Sequence, residues 1–211
     1  MVVMSSPIPP RPESIALIGG HIVLDLVNTV SWRHDPARWR ENLAEHDLLT
    51  WAQRPSGLDG SDFSILRTAI AENPSAAERV LHDVRELREH LYQHLAARID
   101  QPDVQPQVER DSQLHRALVD AVTASNIAGI PARWNLEPRT ASDLTRVLAL
   151  HALDLLQTVA SERLRRCDDD GCGWLFLDTT RNHSRRWCSS GDCGNRDRAR
   201  RHYARTRTAT R

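Results

Sequence analysis

The chain contains no lysine, so its 28 basic positions are all arginines, balanced by 28 aspartates and glutamates. It also lacks any apolar run approaching the ~18 residues that a membrane-spanning helix requires. Residues 1–14 show no charged region followed by an apolar run, so a secretory signal is not expected. These absences predict a soluble, cytoplasmic protein with no membrane partner.

The motifs of several common catalytic sites are missing as well. The sequence has no GxSxG nucleophile elbow, no HExxH zinc-protease helix, no phosphate-binding P-loop and no dinucleotide-binding glycine fingerprint. Each of these motifs positions a reacting group or a phosphate through a fixed spacing. Because none of the spacings occurs, we do not expect an enzyme.

The charges that are present are strongly segregated along the chain. Residues 1–162 contain 15 arginines and 22 acidic residues, a net charge of −7, whereas residues 163–211 contain 13 arginines and 6 acidic residues, a net charge of +7. A compact basic tail on an acidic body is typical of a protein with an anionic partner. The same pattern also fits a tail that docks on its own acidic domain.

All four cysteines lie within the basic part of the chain, as two CxxxxC pairs separated by fifteen residues: Cys167, Cys172, Cys188 and Cys193. Two short thiolate pairs joined by a hairpin are a common way to build a closed, tetrahedral zinc site. Two disulfides or unrelated buried thiols are the alternatives, and a cytosolic setting disfavours disulfides. Four thiolates complete the shell without His183, which lies between the pairs. We therefore expect one structural zinc ion.

Three segments around these cysteines resemble the CGNR zinc-finger module of bacterial proteins: GCGWLFLDTTRN, RRWC and CGNRDRARRHYAR. Near the N-terminus, GGHIVLDLVNT and DLLTWA resemble the helical ABATE domain that usually precedes this finger. Members of this family are described as proposed stress-induced transcription regulators. The resemblance implies that Cys167, Cys172, Cys188 and Cys193 are the zinc ligands, and that double-stranded DNA is the partner.

The chain is predicted to have three parts. Residues 1–14, rich in proline, are a flexible leader; residues 15–164 are a helical ABATE-like domain; and residues 165–211 are a CGNR-type zinc finger with a basic C-terminal helix. The predicted fold class is mostly α. A multihelical N-terminal domain with a short β element is followed by a small zinc-ribbon-like module and a basic helix.

Apolar periodicity and breaker residues predict the elements of the first domain. Helices are expected over residues 45–54, 61–73, 74–98, 109–124 and 140–166, with a strand or hairpin over 127–137. The segment PSAAE at 74–78 is typical of a capping box, and Trp134 is expected to pack the hairpin. The last helix is expected to run with little or no break into Cys167, which would mount the finger rigidly on the body.

Within the finger, Trp174, Phe176 and Trp187 are expected to form a small hydrophobic core that depends on the metal, because so short a module rarely folds alone. Asn195 and Arg196, in the turn beside the metal, are assigned structural roles.

A helix is predicted from Asn195 to about Arg207, with Ala199 and Tyr203 packing on the ribbon. At 100° per residue, three of its arginines share the other side within about 60° of arc. Arginines of the loop between the cysteine pairs, among them Arg181, extend this patch. The candidate DNA contacts are Arg198, Arg201, Arg205, Arg185 and Arg186.

Asp25 and Asn28 fall on one face of a helix predicted after Gly19-Gly20. They are candidates for a pocket that senses a small-molecule effector, or for a buried network of packed polar groups. The sequence leaves both interpretations open.

The favoured hypothesis is a zinc-binding, DNA-binding transcriptional regulator. The alternative is a zinc-stabilised protein-interaction or ligand-sensing module that does not bind DNA. A homodimer is expected only by analogy with regulators that bind palindromic sites.

Overall fold

The computed structural model describes residues 16–53, 60–104, 107–110 and 112–209. The predicted leader, residues 1–14, lies outside these ranges. Among the described residues, no helix is both long enough and apolar enough to cross a membrane.

The described residues are mostly helical, which confirms the predicted fold class. The α-helices are α1 (Ile22–Val27), α2 (Glu45–Gln53), α3 (Gly60–Ala71), α4 (Pro74–Asp100), α5 (Gln113–Thr123), α6 (Asp143–Thr158) and α7 (Cys193–Ala209). The strands are β1 (Val30–Ser31), β2 (Arg40–Glu41), β3 (Asn126–Ala128), β4 (Arg133–Asn135), β5 (Leu164–Arg166) and β6 (Leu175–Leu177). They pair as the antiparallel ribbons β1–β2, β3–β4 and β5–β6.

Helix α4 is the long central element of the body. Its buried residues recur at helical spacing and contact α1, α2, α3, α5 and α6: Ala77, Val80, Val84, Leu87, Leu91 and Leu95. The helix starts differently from the capping-box prediction. The N-cap is Asn73, whose side chain accepts a hydrogen bond from the Ala76 amide at 3.1 Å, and Pro74 occupies the first turn.

Helix α6 ends at Thr158, so the prediction of a helix continuing to Arg166 was wrong. Val159 is extended, a short 3₁₀ turn follows at Ser161–Arg163, and the chain then enters β5. The reason is tertiary: β5 pairs with β6 in register from Leu164 opposite Leu177 to Arg166 opposite Leu175. The finger is therefore mounted through strand pairing instead of a continuous helix.

The hairpin predicted over 127–137 is present as β3–β4. Trp134, expected to be its buried packing residue, is exposed instead. All six strand residues are exposed, and Trp134 has 38% of its surface accessible. Residues 131–136 of this region line a pocket together with residues of α6.

Strand β6 joins the finger to the body. The Asn28 side-chain amide donates to the Leu175 carbonyl at 2.8 Å, and the Leu175 amide donates to Asn28 Oδ1 at 2.9 Å. The Leu175 side chain is fully buried in the same hydrophobic cluster as α1, α4 and α6. The Trp174 indole also donates to the Val30 carbonyl, and the Leu177 amide to the Gly19 carbonyl, both at 2.8 Å. Strand β6 of the finger thus contributes to the hydrophobic core of the body.

Replacement of Asn28 by alanine should cost about 2–4 kcal/mol of unfolding free energy, because it leaves two buried backbone groups of Leu175 without partners. Denaturant unfolding of the zinc-loaded protein measures this loss. Asn182→Ala, at an exposed position of the finger loop, is the matched control and should change the stability by less than about 0.5 kcal/mol. Equal, small effects for both variants would show that the Asn28 bridge does not hold the finger.

Candidate metal centre and basic helix

The four cysteines lie close together, although each belongs to a different local structure. Cys167 follows β5, Cys172 lies in the turn before β6, Cys188 lies in the loop after β6, and Cys193 is the first residue of α7. Each is between 1% and 6% exposed. Local hydrogen bonds hold the first turn: the Cys172 amide donates to the Asp169 carbonyl at 2.8 Å, and the Cys167 amide to the Trp174 carbonyl at 2.9 Å.

The sulfur atoms have the geometry of a four-coordinate metal site. All four Sγ atoms lie within 4.8 Å of one another, with Cys172–Cys188 at 3.7 Å and Cys188–Cys193 at 3.4 Å. A tetrahedron with Zn–S bonds of about 2.3 Å has S–S edges of about 3.8 Å. The cluster is therefore able to hold one zinc ion, with every coordination position filled by sulfur.

The close approach of four buried sulfurs also favours a cation at this point. Hydrogen bonds among the sulfurs lower the pKa of Cys167, whereas hydrogen bonding to Cys167 and burial raise the pKa of Cys188 and Cys193. Without a positive ion, the cluster cannot carry four thiolates in so small a buried volume. A bound divalent cation offsets that repulsion and deprotonates coordinating thiols.

Gly173 allows the body to approach the metal turn. Its φ is +74°, a left-handed conformation, and a β-carbon at this position would lie 2.8 Å from the Arg33 β-carbon. Arg33 in turn donates its amide hydrogen to the Cys172 carbonyl at 3.1 Å. The loop after β1 thus closes directly over the first cysteine pair.

The predicted aromatic residues of the finger surround the cysteines. Phe176 is fully buried among them, and Trp174 and Trp187 pack against the same cluster, together with Ile18 from the body. Phe176 and Leu175 point to opposite sides of β6, as strand geometry requires, so one strand serves both clusters.

The side chain of Arg185, predicted as a DNA contact, makes its contacts inside the protein. Its guanidinium donates to the carbonyls of Trp187, Cys188 and Ile18 at 3.1, 2.6 and 3.1 Å. It also lies over the Phe176 ring, 4.2 Å from the centroid. These contacts occupy the side chain, so we do not retain Arg185 among the candidate DNA contacts.

Arg196 lies directly beside the sulfur cluster. Its Nη2 donates to Cys193 Sγ at 2.8 Å, its Nε donates to Asp169 at 2.8 Å, and it pairs with Asp192. The guanidinium also lies over the Trp32 ring of the body, 4.5 Å from the centroid. A positive charge at this position offsets the negative charge that four thiolates bring to a zinc ion.

Asn195 closes the turn that carries the second cysteine pair. Its amide nitrogen donates to the Gly191 carbonyl at 2.6 Å, and its Oδ1 accepts a hydrogen bond from Arg198. The side chain therefore links the metal turn to the second turn of α7.

Asp169 fixes the direction of α7, a role that the sequence analysis did not assign. The residue is 1% exposed and accepts hydrogen bonds from Arg196 at 2.8 Å and Arg200 at 3.0 Å. Burial alone would raise its pKa, but the two guanidinium groups outweigh burial and hold the pKa of Asp169 below its usual value. The run of three aspartates at 168–170, inside the first cysteine pair, was the available signal.

The prediction that Ala199 and Tyr203 pack on the ribbon was wrong. Both residues are exposed, Tyr203 at 68%. The side of α7 that faces the finger is held through Arg196 and Arg200, which pair with buried Asp169. Tyr203 lies near Arg196 around the helix but two turns farther along it, beyond this contact. Every residue from 198 to 206 is exposed, including Arg200 at the edge of this contact.

The three predicted ridge arginines therefore lie on the exposed part of α7. Arg198 donates to the Ser190 carbonyl at 3.1 Å, and Arg201 pairs with Asp197 at 2.9 Å. Within the described residues, Arg205 has no ion-pair partner.

Two loop arginines of the predicted patch are also exposed. Arg186 pairs with Asp168 at 2.7 Å and lies 5.0 Å from the centroid of the Trp187 ring. Arg181 has no ion-pair partner within the described residues.

The structure engages both Asp25 and Asn28 in hydrogen bonds inside the protein. The Asp25 carboxylate accepts a hydrogen bond from the Gly19 amide at 2.8 Å, and Asn28 is fully engaged with Leu175. Both are buried. They form the packed polar network that was the second interpretation.

Comparison with known proteins gives two family matches that together span most of the chain. Residues 20–164 match the ABATE family model, described as "Putative stress-induced transcription regulator". Residues 163–206 match the model of the CGNR zinc finger. No curated protein matches the chain.

Replacement of Arg196 by alanine should weaken zinc binding about ten- to a hundredfold, because it removes the charged hydrogen bond to Cys193. Competition with a chromophoric zinc chelator measures the affinity. Arg205→Ala, which removes the same charge from the distal part of α7, is the control and should leave the affinity unchanged. Equal affinities for both variants would contradict the assigned role.

Removal of zinc by a chelator should destabilise the body as well as the finger, because Leu175 and Leu164 belong to the body's hydrophobic cluster. Thermal unfolding followed by circular dichroism should show one transition, shifted to lower temperature and restored by added zinc. A transition that keeps its temperature without zinc would show that the body folds independently of the metal site.

Proposed function

The chain belongs to the ABATE family and carries a CGNR zinc finger, and we propose that it is a non-catalytic transcriptional regulator that binds double-stranded DNA through α7. The zinc site would fold the finger and orient this helix. Arginines on the exposed side of the helix would contact the phosphate backbone.

The observation that carries the proposal is the exposure of α7 beyond its contact with the finger. Residues 198–206 are all exposed, and the segment 163–211 carries a net charge of +7. Seventeen residues of helix span about 25 Å at ~1.5 Å per residue, which is long enough to lie in a major groove. Clustered arginines on one exposed helix are the electrostatic pattern of a nucleic-acid interface.

The ion pairs now made by these arginines do not prevent contact with DNA. The Arg201–Asp197 pair is exposed on its arginine side, at 55%, and exposed pairs contribute only about 0–1 kcal/mol. A phosphate can therefore replace Asp197 at little cost. The pairs that Arg196 and Arg200 make with buried Asp169 hold the opposite side of the helix, so the free side keeps a defined direction.

Phosphate contacts would supply most of the affinity and would fix the helix on the duplex. Arg198, Arg201 and Arg205 lie within about 60° of arc on α7. Arg186 adds a fourth exposed arginine from the preceding loop. Sequence specificity would require one of these side chains to reach guanine edges in the major groove.

If about four arginines contact phosphates, the logarithm of the binding constant should fall with the logarithm of salt concentration with a slope near −4. The triple variant Arg198→Ala, Arg201→Ala, Arg205→Ala should reduce the slope by about 3 and weaken binding. Fluorescence anisotropy of the zinc-loaded protein with labelled genomic duplex fragments measures both quantities.

The matched control removes three exposed arginines of the body instead: Arg67→Ala, Arg79→Ala and Arg110→Ala. It makes the same change in net charge and should leave the slope and affinity nearly unchanged. The zinc content of both variants is checked. Failure of the wild-type protein to bind any duplex, or equal weakening by both triple variants, would refute α7 as the interface and favour the protein-interaction alternative.

A further inference from the structure

A cavity of about 270 Å³ lies between α4 and α6, beside the segment that leads into the finger. It is lined by His94, Leu95, Arg98, Leu155, Leu156, Val159, Ser161 and Leu164. At ~30 Å³ per water molecule, this volume corresponds to about nine waters, or to a small organic molecule. It is separate from both the metal centre and the exposed side of α7.

The cavity is lined by both apolar and polar groups. Leu95, Leu155 and Leu164 are buried in the main hydrophobic cluster, and Leu156 and Val159 pack against it. Polar groups are contributed only by His94, Arg98 and Ser161. A concave site that combines apolar side chains with a few polar groups can hold a small molecule.

Arg98 is the unusual member of this set. It is half-buried and donates to the Pro102 carbonyl and to Ser161 Oγ, both at 2.7 Å. A guanidinium has five N–H donors, and no carboxylate of the described residues pairs with it. By contrast, other buried or half-buried arginines of the body each pair with a carboxylate: Arg33, Arg88, Arg146 and Arg166.

His94 provides a second polar group at the cavity. It makes no hydrogen bond within the described residues, and burial lowers its pKa. Burial thus favours the neutral imidazole, which has one N–H donor. A carboxylate between Arg98 and His94 would accept hydrogen bonds from both.

We propose that this cavity binds a small, free carboxylic acid, with its carboxylate on Arg98 and its apolar tail between Leu155, Leu156 and Leu164. The unpaired guanidinium supplies the charge complement, and the leucines exclude water from the tail. This assignment does not depend on whether α7 binds DNA.

Binding would order the segment that leads into the finger. Val159, Ser161 and Leu164 line the cavity, and Leu164 is the first residue of β5, opposite Leu177 of β6. A ligand between α4 and this segment therefore adds contacts to the strand on which the finger is mounted.

The test is an NMR titration of the ¹⁵N-labelled, zinc-loaded full-length protein with octanoate and, separately, with phenylacetate. At least one acid should cause saturable shifts confined to residues 94–98 and 155–164, with a Kd on the order of 0.1–1 mM. Octanol and octylamine, which keep the longer tail without the carboxylate, should bind at least about tenfold more weakly.

Two variants test recognition of the carboxylate and binding of the apolar tail separately. Arg98→Met should weaken acid binding at least about tenfold, whereas Arg79→Met, on an exposed part of α4, should not change it. Leu156→Trp keeps Arg98 and its hydrogen bonds but fills the cavity, and should also abolish saturable shifts. Melting temperatures of all variants are compared with the wild type, so that a folding defect is recognised.

Three results would each overturn the proposal. The first is the absence of saturable shifts with both acids in the wild-type protein. The second is equal binding of octanol or octylamine, which would show that the carboxylate is not recognised. The third is unchanged acid binding in a folded Arg98→Met or Leu156→Trp variant, which would place the acid elsewhere.

Discussion

The structure depends on the alternation of side chains along β6. Leu175 points into the hydrophobic cluster of the body and Phe176 points into the cysteine cluster, and both are fully buried. A strand of only three residues is thus part of two cores at once, and the Asn28 amide fixes its register against α1. The metal site therefore stabilises more than the small module that contains it. Loss of the metal would expose apolar surface of the body as well as of the finger.

Because the chain has no lysine, arginines provide both the internal charged hydrogen bonds of the finger and its exposed positive charge. Arg185 and Arg196 make several hydrogen bonds each, to carbonyls, a carboxylate and a thiolate, which the planar guanidinium with its five donors allows and a lysine ammonium would not. Arg198, Arg201 and Arg205 are exposed. The net charge of the C-terminal segment consequently overstates the charge available to a partner, because part of it neutralises the metal centre and Asp169.

Local sequence patterns predicted those features that depend on residues close together in the chain. Cysteine spacing identified the metal cluster, and apolar periodicity located the long helices, because both depend on residues close in the chain. The end of α6 was predicted wrongly, and the contacts of Asp169 and of Arg185 were not predicted, for one reason. Each depends on a partner distant in sequence: β6 for the end of α6, Arg196 and Arg200 for Asp169, and the Ile18 carbonyl for Arg185. No periodicity or spacing encodes such a contact.

The way the finger is mounted limits how a ligand in the body could control it. A finger mounted on a continuous helix could change its orientation as that helix moved. Here the finger is held at four separate points: the β5–β6 pairing, the Asn28 bridge, the Trp174–Val30 hydrogen bond and the Arg196–Trp32 stacking. Reorientation would break all four together. An acid bound beside Arg98 would instead act through stability, because a ligand that binds only the folded state stabilises it by RT ln(1 + [L]/Kd). At a ligand concentration of 100 times Kd this contribution is about 2.7 kcal/mol, and the shared core passes it to the zinc finger.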